Sequence, residues 1–338
     1  MLTKHNYKPR QSSYTSLITI LSCLFALQFI DSSSFAKDTA KQVESSSSTN
    51  AKAAVPHPFF WDIKGSHGEI GHLMGTVHVP DERWAKLPKG LLADLDRADI
   101  VYGELDLTEK KAMTQEVMKI ALLKNGDTLH KIIGDRLYGK LDRYLQSRGQ
   151  SAAFLNGFHP KMVEMTLGLL DVMPLLMSGK PVLDEWLLKR AKTKGIKVDG
   201  VETLEEQTNA LFYGTLAEAK ISLEFTIDLL VKKKAQGIKP FDILFKAYFS
   251  GDEKQILKTI KGDLKNAPKE QLEAMNQLLN VRNHRMVNRI IKKLKQAPKK
   301  RQVFAFGVAH FVGPEGVVEL LRKQGFKVQR RYAPKSKK

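Results

Sequence analysis

The period of apolar and polar positions changes several times along the chain. Phe59-Phe60-Trp61-Asp62-Ile63 is apolar with one polar interruption and predicts a strand; Lys64 to Gly68 carries turn residues, and Ile70 to His78 predicts the hairpin partner. Leu87 to Ala98 spaces its apolar residues at helical intervals. Ile100-Val101-Tyr102-Gly103-Glu104-Leu105 predicts a short apolar strand holding one carboxylate. From Thr108 to about Gln296 the period is mostly helical, with breaks at Asn125-Gly126, Gly157, Gly179, Gly195, Gly237 and Gly262, and Lys197 to Val201 reads as one more strand inside it. Gln302 to Gly307 predicts a strand, Pro314 to Gln324 a helix with Pro at its start and Gly325 after its end, and Phe326 to Gln329 a last strand. Strands therefore cluster at both ends with helices between them. The expected fold is α/β in an α+β arrangement, a central sheet formed from N- and C-terminal strands and covered by a large helical insertion.

The N-terminal region has a different pattern. Lys4, Lys8 and Arg10 precede an uncharged run from Gln11 to Ile30, apolar from about Leu17, and Ser34-Phe35-Ala36 follows. That order is a signal peptide cleaved after Ala36, and the apolar stretch is short against the roughly 20 residues a membrane span needs. Export to the periplasm or beyond the cell is expected; the alternative is an uncleaved N-terminal membrane anchor. The expected organisation is a signal peptide at 1–36, a Ser-rich disordered linker at 37–56, a folded domain at 57–333 and a basic tail at 334–338.

Composition narrows the chemistry. Cys23 is the single cysteine of 338 residues, which excludes intrachain disulfides and cysteine-rich zinc sites. It also lies in the segment expected to be removed, so a cysteine nucleophile is excluded. No Asn-x-Ser/Thr sequon occurs, which favours a bacterial envelope over a eukaryotic secretory route. Fifty-five basic against 36 acidic residues give a net charge of +19, which favours contact with an anionic envelope surface. The basic runs Lys292-Lys293-Leu294-Lys295 and Lys299-Lys300-Arg301 lack interleaved aromatics, and with an export signal they do not point to nucleic acid.

The chain has no G-x-S-x-G elbow, Walker A loop, H-E-x-x-H or G-x-G-x-x-G. His67-Gly68-Glu69-Ile70-Gly71-His72 is a turn, since its glycines and hairpin context forbid a metal-binding helix. Two other segments share a form: Gly75-Thr76-Val77-His78 and Gly307-Val308-Ala309-His310 each set a histidine just past an apolar strand, where side chains emerge into a crevice. The glycine three residues earlier permits close approach of backbone or ligand. Glu104, within a third apolar strand, is costly unless paired or metal-bound. His78, His310 and Glu104 thus make a divalent-metal set. The plainer alternative is that each histidine caps its strand and Glu104 pairs with an arginine.

Leu73-Met74-Gly75-Thr76-Val77-His78-Val79-Pro80 followed by Tyr102-Gly103-Glu104-Leu105-Asp106-Leu107-Thr108 resembles the opening of the TraB/PrgY/GumN family, most of all its TIKI metalloprotease branch. Pro181-Val182-Leu183-Asp184, Gly200-Val201-Glu202-Thr203 with Glu205-Glu206-Gln207, Arg282-Asn283-His284-Arg285-Met286 and Phe304 to Phe311 continue the resemblance in order, over about residues 59 to 330. It implies a site made of the two G-x-x-H histidines and Glu104, and manganese or cobalt as the ion; the ligand types also admit zinc. TIKI proteins are animal cell-surface proteases of Wnt ligands, a substrate a bacterial envelope does not offer, so the resemblance speaks for the site more than for the substrate. Asp184 and Glu202 are read as partners that orient a ligand histidine, or equally as a cap or a salt bridge. If Glu104 is a ligand, Glu202 is the next general base. Arg282 and Arg285 share a helix face and would neutralise a substrate carboxylate or an oxyanion, or pair with Glu104 or Glu202. His57, His130, His159 and His284 are assigned to packing or surface. The expected function is an exported metal-dependent hydrolase of peptide or protein substrates, with Glu104, Glu202, Arg282 and Arg285 as catalytic candidates. The alternative is a non-catalytic envelope protein that sequesters a peptide or a haem-like ligand.

Overall fold

The computed structural model describes residues 57–106, 110–262 and 264–334. The expected signal segment with Cys23, the linker up to residue 56 and all of the basic tail but Pro334 lie outside the described residues. The sheet contains β1 (Phe59–Lys64), β2 (Ile70–Thr76), β3 (Ile100–Gly103), β4 (Lys197–Gly200), β5 (Gln302–Gly307) and β6 (Lys327–Arg330) in the spatial order β4-β3-β5-β2-β1-β6. β2, β5, β3 and β4 run parallel to one another, while β1 is antiparallel to both β2 and β6. The β1–β2 hairpin is the one that the apolar runs and the turn residues between them predict, with Phe59 opposite Gly75 and Lys64 opposite Ile70. β5, from the far end of the chain, is inserted between β2 and β3. The sheet is thus closed only when both ends of the sequence come together. All four parallel strands end at the same edge, where open α/β sheets bind ligands.

Helices fill the connections. α1 (Lys89–Asp96) links β2 to β3. Between β3 and β4 lie α2 (Lys110–Ala121), α3 (Leu129–Gln146), α4 (Pro160–Leu169), α5 (Met173–Leu176) and α6 (Leu183–Thr193). Between β4 and β5 lie α7 (Leu204–Leu211), α8 (Leu216–Ala235), α9 (Pro240–Ser250), α10 (Glu253–Gly262), α11 (Lys269–Asn276) and α12 (Arg282–Gln296). The π-helical segment Gln277–Val281 joins α11 to α12. α7 and α8 both open on capping boxes, Thr203 with Glu206 and Thr215 with Glu218, in which side chain and backbone satisfy each other reciprocally. One apolar core packs around the sheet, and a second, formed by α3, α4 and α8, gathers Leu129, Leu137, Leu141, Val163, Leu223 and Ile227.

Three boundaries differ from the sequence reading. α13 (Val317–Lys323) begins after Gly316 rather than at Pro314. Gly313 adopts φ +89°, and a Cβ on Gly316 would stand 2.6 Å from the Phe311 carbonyl oxygen, so the chain turns here before it can coil. β2 stops at Thr76, two residues before His78, and β3 stops at Gly103, one before Glu104. Beyond those points the backbone leaves the ladder and the side chains project over the edge of the sheet.

Candidate functional site

Three neighbouring strands deliver the site. His78 follows β2, Glu104 follows β3, and His310 closes a single 3-10 turn, Val308–His310, that follows β5. Aromatic packing fixes these exits. Trp84 donates its indole N–H to the Val79 carbonyl at 2.9 Å, and the buried Tyr248 hydroxyl donates to the Gly75 carbonyl at 2.8 Å. Trp61, Phe306 and Phe311 stack beneath the turn that carries His310.

The two motif glycines serve different ends. A Cβ on Gly75 would meet Phe59 Cβ at 2.8 Å and Val308 Cγ2 at 3.0 Å, so this glycine lets β2 pack. A Cβ on Gly307 would stand 3.3 Å from His78 Nε2 and 3.4 Å from Glu104 Oε1, so this one keeps the site open.

His78 Nε2 lies 3.7 Å and His310 Nε2 lies 3.9 Å from the same oxygen, Glu104 Oε1. On its other side His78 Nδ1 donates to Asp184 Oδ2 at 2.8 Å, and His310 Nδ1 lies 2.6 Å from Asn283 Oδ1. Glu104 Oε1 accepts the Gly307 N–H at 2.9 Å, while Oε2 accepts from Gln207 Nε2 at 2.9 Å and Arg282 Nη2 at 2.8 Å. Arg282 spends the rest of its fork on both oxygens of Glu202 and on the Leu278 carbonyl. Arg285 lies one turn along α12 and reaches Glu202 at 3.7 Å from a partly exposed position. Next along that face, Arg289 bonds the Val201 carbonyl and both Glu206 oxygens, and it holds the Glu206 carboxyl down to about 2. Three arginines thus fasten α12 to the chain leaving β4.

Burial sharpens the electrostatics. His78, Glu104 and His310 are 6%, 7% and 4% exposed. Burial alone would lower the His78 imidazolium, but the carboxylates of Asp184 and Glu104 outweigh it and raise the group to about 10. Burial would raise Glu104; the Arg282 guanidinium and the two imidazoles hold it well below the ordinary carboxyl range instead. Burial, then the nearby Arg282, push His310 down to about 3. The paired imidazoles therefore have opposite characters because one is backed by a carboxylate and the other by an amide.

His78, Glu104, Leu278, Leu279, Arg282, Gly307 and His310 line a cavity of about 20 Å³, room for one water-sized body. A second small cavity lies on the other side of His78 and Glu104, against Gly103, Leu105, Asp184 and Leu188. Of the sequence candidates, His78, His310, Glu104 and Arg282 share the first cavity. Glu202 is sealed behind Arg282 with no exposed side-chain surface, and Arg285 does not line either cavity. Asp184 orients His78. Gln207 and Asn283 fall within segments that carry the family resemblance, but an uncharged amide in a helix gives no signal of its own until its partners are placed. Among the described residues, no group of three or more His, Cys, Asp or Glu closes to metal-holding distances.

Comparison with known proteins adds the following. The sequence profile of the TraB/PrgY/gumN family matches residues 59–330. The chain is similar to Metalloprotease TIKI1 of Xenopus tropicalis, 27% identical over 322 residues (82% of this chain, 62% of that protein). It is also similar to a Metalloprotease TIKI homolog of Nematostella vectensis, 25% identical over 80% of this chain and 66% of that protein. An uncharacterized protein of Treponema pallidum is 24% identical over 78% of this chain and 80% of its own length. The chain thus spans somewhat under two thirds of the length of the TIKI relatives. No solved structure matches.

Proposed function

The chain belongs to the TraB/PrgY/gumN family, and from that premise we propose that it is a divalent-metal-dependent hydrolase of peptide bonds in which His78, His310 and Glu104 hold the ion. One observation carries the reading. Both Nδ1 atoms are committed to partners that only accept, so His310 Nε2 turns a bare lone pair into the buried cavity and His78 Nε2 the position of the proton it retains, both toward Glu104 Oε1. Such a set is stable around a proton or a cation and repulsive without one. Charge points the same way. Asp184, Glu104 and Glu202 are buried carboxylates set against the buried Arg282 guanidinium, the partly exposed Arg285 and the proton that His78 retains, whose place an ion would take. Ligands about 2.0–2.2 Å from a tetrahedral ion stand about 3.3–3.6 Å apart; the observed 3.7 and 3.9 Å exceed that by a few tenths of an ångström. Imidazole and carboxylate donors suit manganese, cobalt or zinc.

A divalent ion bound here would supply an acidified water and polarise the scissile carbonyl. The protein's own groups do the rest. Asp184 and Asn283 orient the two imidazoles. Arg282 keeps Glu104 ionised and ties up its Oε2, which leaves Oε1 as the coordinating atom. Glu202 acts through Arg282, which it holds in place. Leu278 and Leu279 form an apolar wall that keeps bulk water out. Export, a functional unit at 57–333 and contact of the basic surface with an anionic envelope belong to the same proposal; no described helix is long and apolar enough to cross a membrane.

The test is a mixed peptide library incubated with the purified protein, with and without EDTA, alongside His78→Ala and His310→Ala. New peptide termini that EDTA and both substitutions abolish are expected. Saturable peptide binding with no new termini would overturn hydrolysis in favour of sequestration.

A further inference from the structure

The cavity histidines present the same nitrogen to Glu104, yet only His78 is backed by a charge. What fixes His310 can be read from the acceptors around it. Asn283 Nδ2 lies 2.8 Å from the Glu315 carbonyl oxygen, which can only accept, so the amide NH₂ must face Glu315. Its Oδ1 is thereby turned to His310 Nδ1 at 2.6 Å, and because that oxygen can only accept, Nδ1 must carry the hydrogen. Asn283 is 2% exposed; its bond to His310 is buried and its bond to the Glu315 carbonyl part-buried.

We propose that Asn283, locked by the Glu315 carbonyl, is a positioning residue that holds His310 as its Nδ1–H tautomer with the Nε2 lone pair directed into the cavity. The device joins three elements: the first turn of α12, the 3-10 turn after β5 and the loop before α13. A neutral amide does this without adding a fourth buried carboxylate to a site that already holds Asp184, Glu104 and Glu202. Asp in its place would still accept from His310 but would set a carboxylate oxygen against the Glu315 carbonyl.

The inference takes its purpose from the metal reading, and its test has an arm independent of it. Long-range ¹H–¹⁵N spectra of the metal-free protein report which ring nitrogen of His310 is protonated. The wild type is expected to show Nδ1–H, Asn283→Asp to retain it, and Asn283→Ala to lose it. Zn²⁺ competition against a chromophoric chelator is expected to show a 10–100-fold loss of affinity in Asn283→Ala. An Nε2–H tautomer in the wild type, or an unchanged tautomer and affinity in Asn283→Ala, overturns the assignment. If Asn283→Ala does not fold, the wild-type tautomer with Asn283→Asp decides it alone. A wild type with the Nδ1–H tautomer that binds no Zn²⁺ removes the metal reading and leaves the role of Asn283 standing.

Discussion

Replacing each motif glycine by alanine separates packing from chemistry. Gly307 has φ −52° and ψ 131°, an ordinary conformation for alanine, and its N–H bond to Glu104 survives the change. The added methyl stands 3.3 Å from His78 Nε2, 3.4 Å from Glu104 Oε1 and 3.9 Å from His310 Cδ2, in the space an ion would use. Crowding costs at most about 1–3 kcal/mol, and the stiffer unfolded chain returns about 0.4–1 kcal/mol. The net cost is at most about 2.6 kcal/mol, so the melting temperature of Gly307→Ala should fall by no more than about 10 °C at roughly 2–4 °C per kcal/mol. Gly75→Ala meets Phe59 Cβ at 2.8 Å and Val308 Cγ2 at 3.0 Å inside the core, a tighter clash that should cost about 3 kcal/mol and lower the melting temperature further. The assay is thermal melting with and without manganese or zinc. Wild type should gain about 2.7 kcal/mol at a hundredfold excess over Kd, Gly75→Ala should gain as much from its lower baseline, and Gly307→Ala should gain almost nothing. The same metal-dependent rise in Gly307→Ala as in wild type would refute the placement of the ion between His78, His310 and Glu104.

Two further outcomes follow from the same geometry. Arg282→Met should destabilise by about 3–5 kcal/mol in urea titrations, because it leaves Glu104 and Glu202 buried without their shared cation, and Arg282→Lys should rescue little, since one ammonium cannot span both carboxylates. His159 caps α4 by accepting the Lys161 N–H on Nδ1, and burial, then Lys161, lower its imidazolium from 6.5 to about 4. Its folded value is depressed, so its contribution is full above pH 6.5 and drains as pH falls from 6.5 through about 4. His159→Asn, which caps without titrating, should flatten the urea midpoint against pH in that window; an unchanged slope would discount the His159 titration as its source.

Much of this protein was legible in the order of its residues, because local rules govern what was read. The apolar runs at 59–63 and 70–78, with turn residues at 64–68 between them, place a hairpin. The apolar run at 302–307 reads as a strand, and all its residues are buried in the structure. His78, His310 and Glu104 stood out because each is a polar residue at the end of an apolar run, which is a local feature. Asp184 as a histidine partner and Arg282 as a partner of Glu104 and Glu202 were among the alternatives read from the chain, but nothing local chose between them and a helix cap or an oxyanion role.

The tertiary structure made those choices. Residues 78 and 310 meet because β5 is inserted between β2 and β3, a long-range pairing that no window of sequence encodes. Glu202 is withdrawn behind Arg282, and Gln207 and Asn283 enter the site, for the same reason: burial forces each polar group to find whichever partner the packing brings within about 3 Å. The identity of the candidate residues is thus written locally, in polar side chains at the ends of apolar strands. Their roles are decided by which donors face which acceptors once water is excluded, and only the folded chain contains that information.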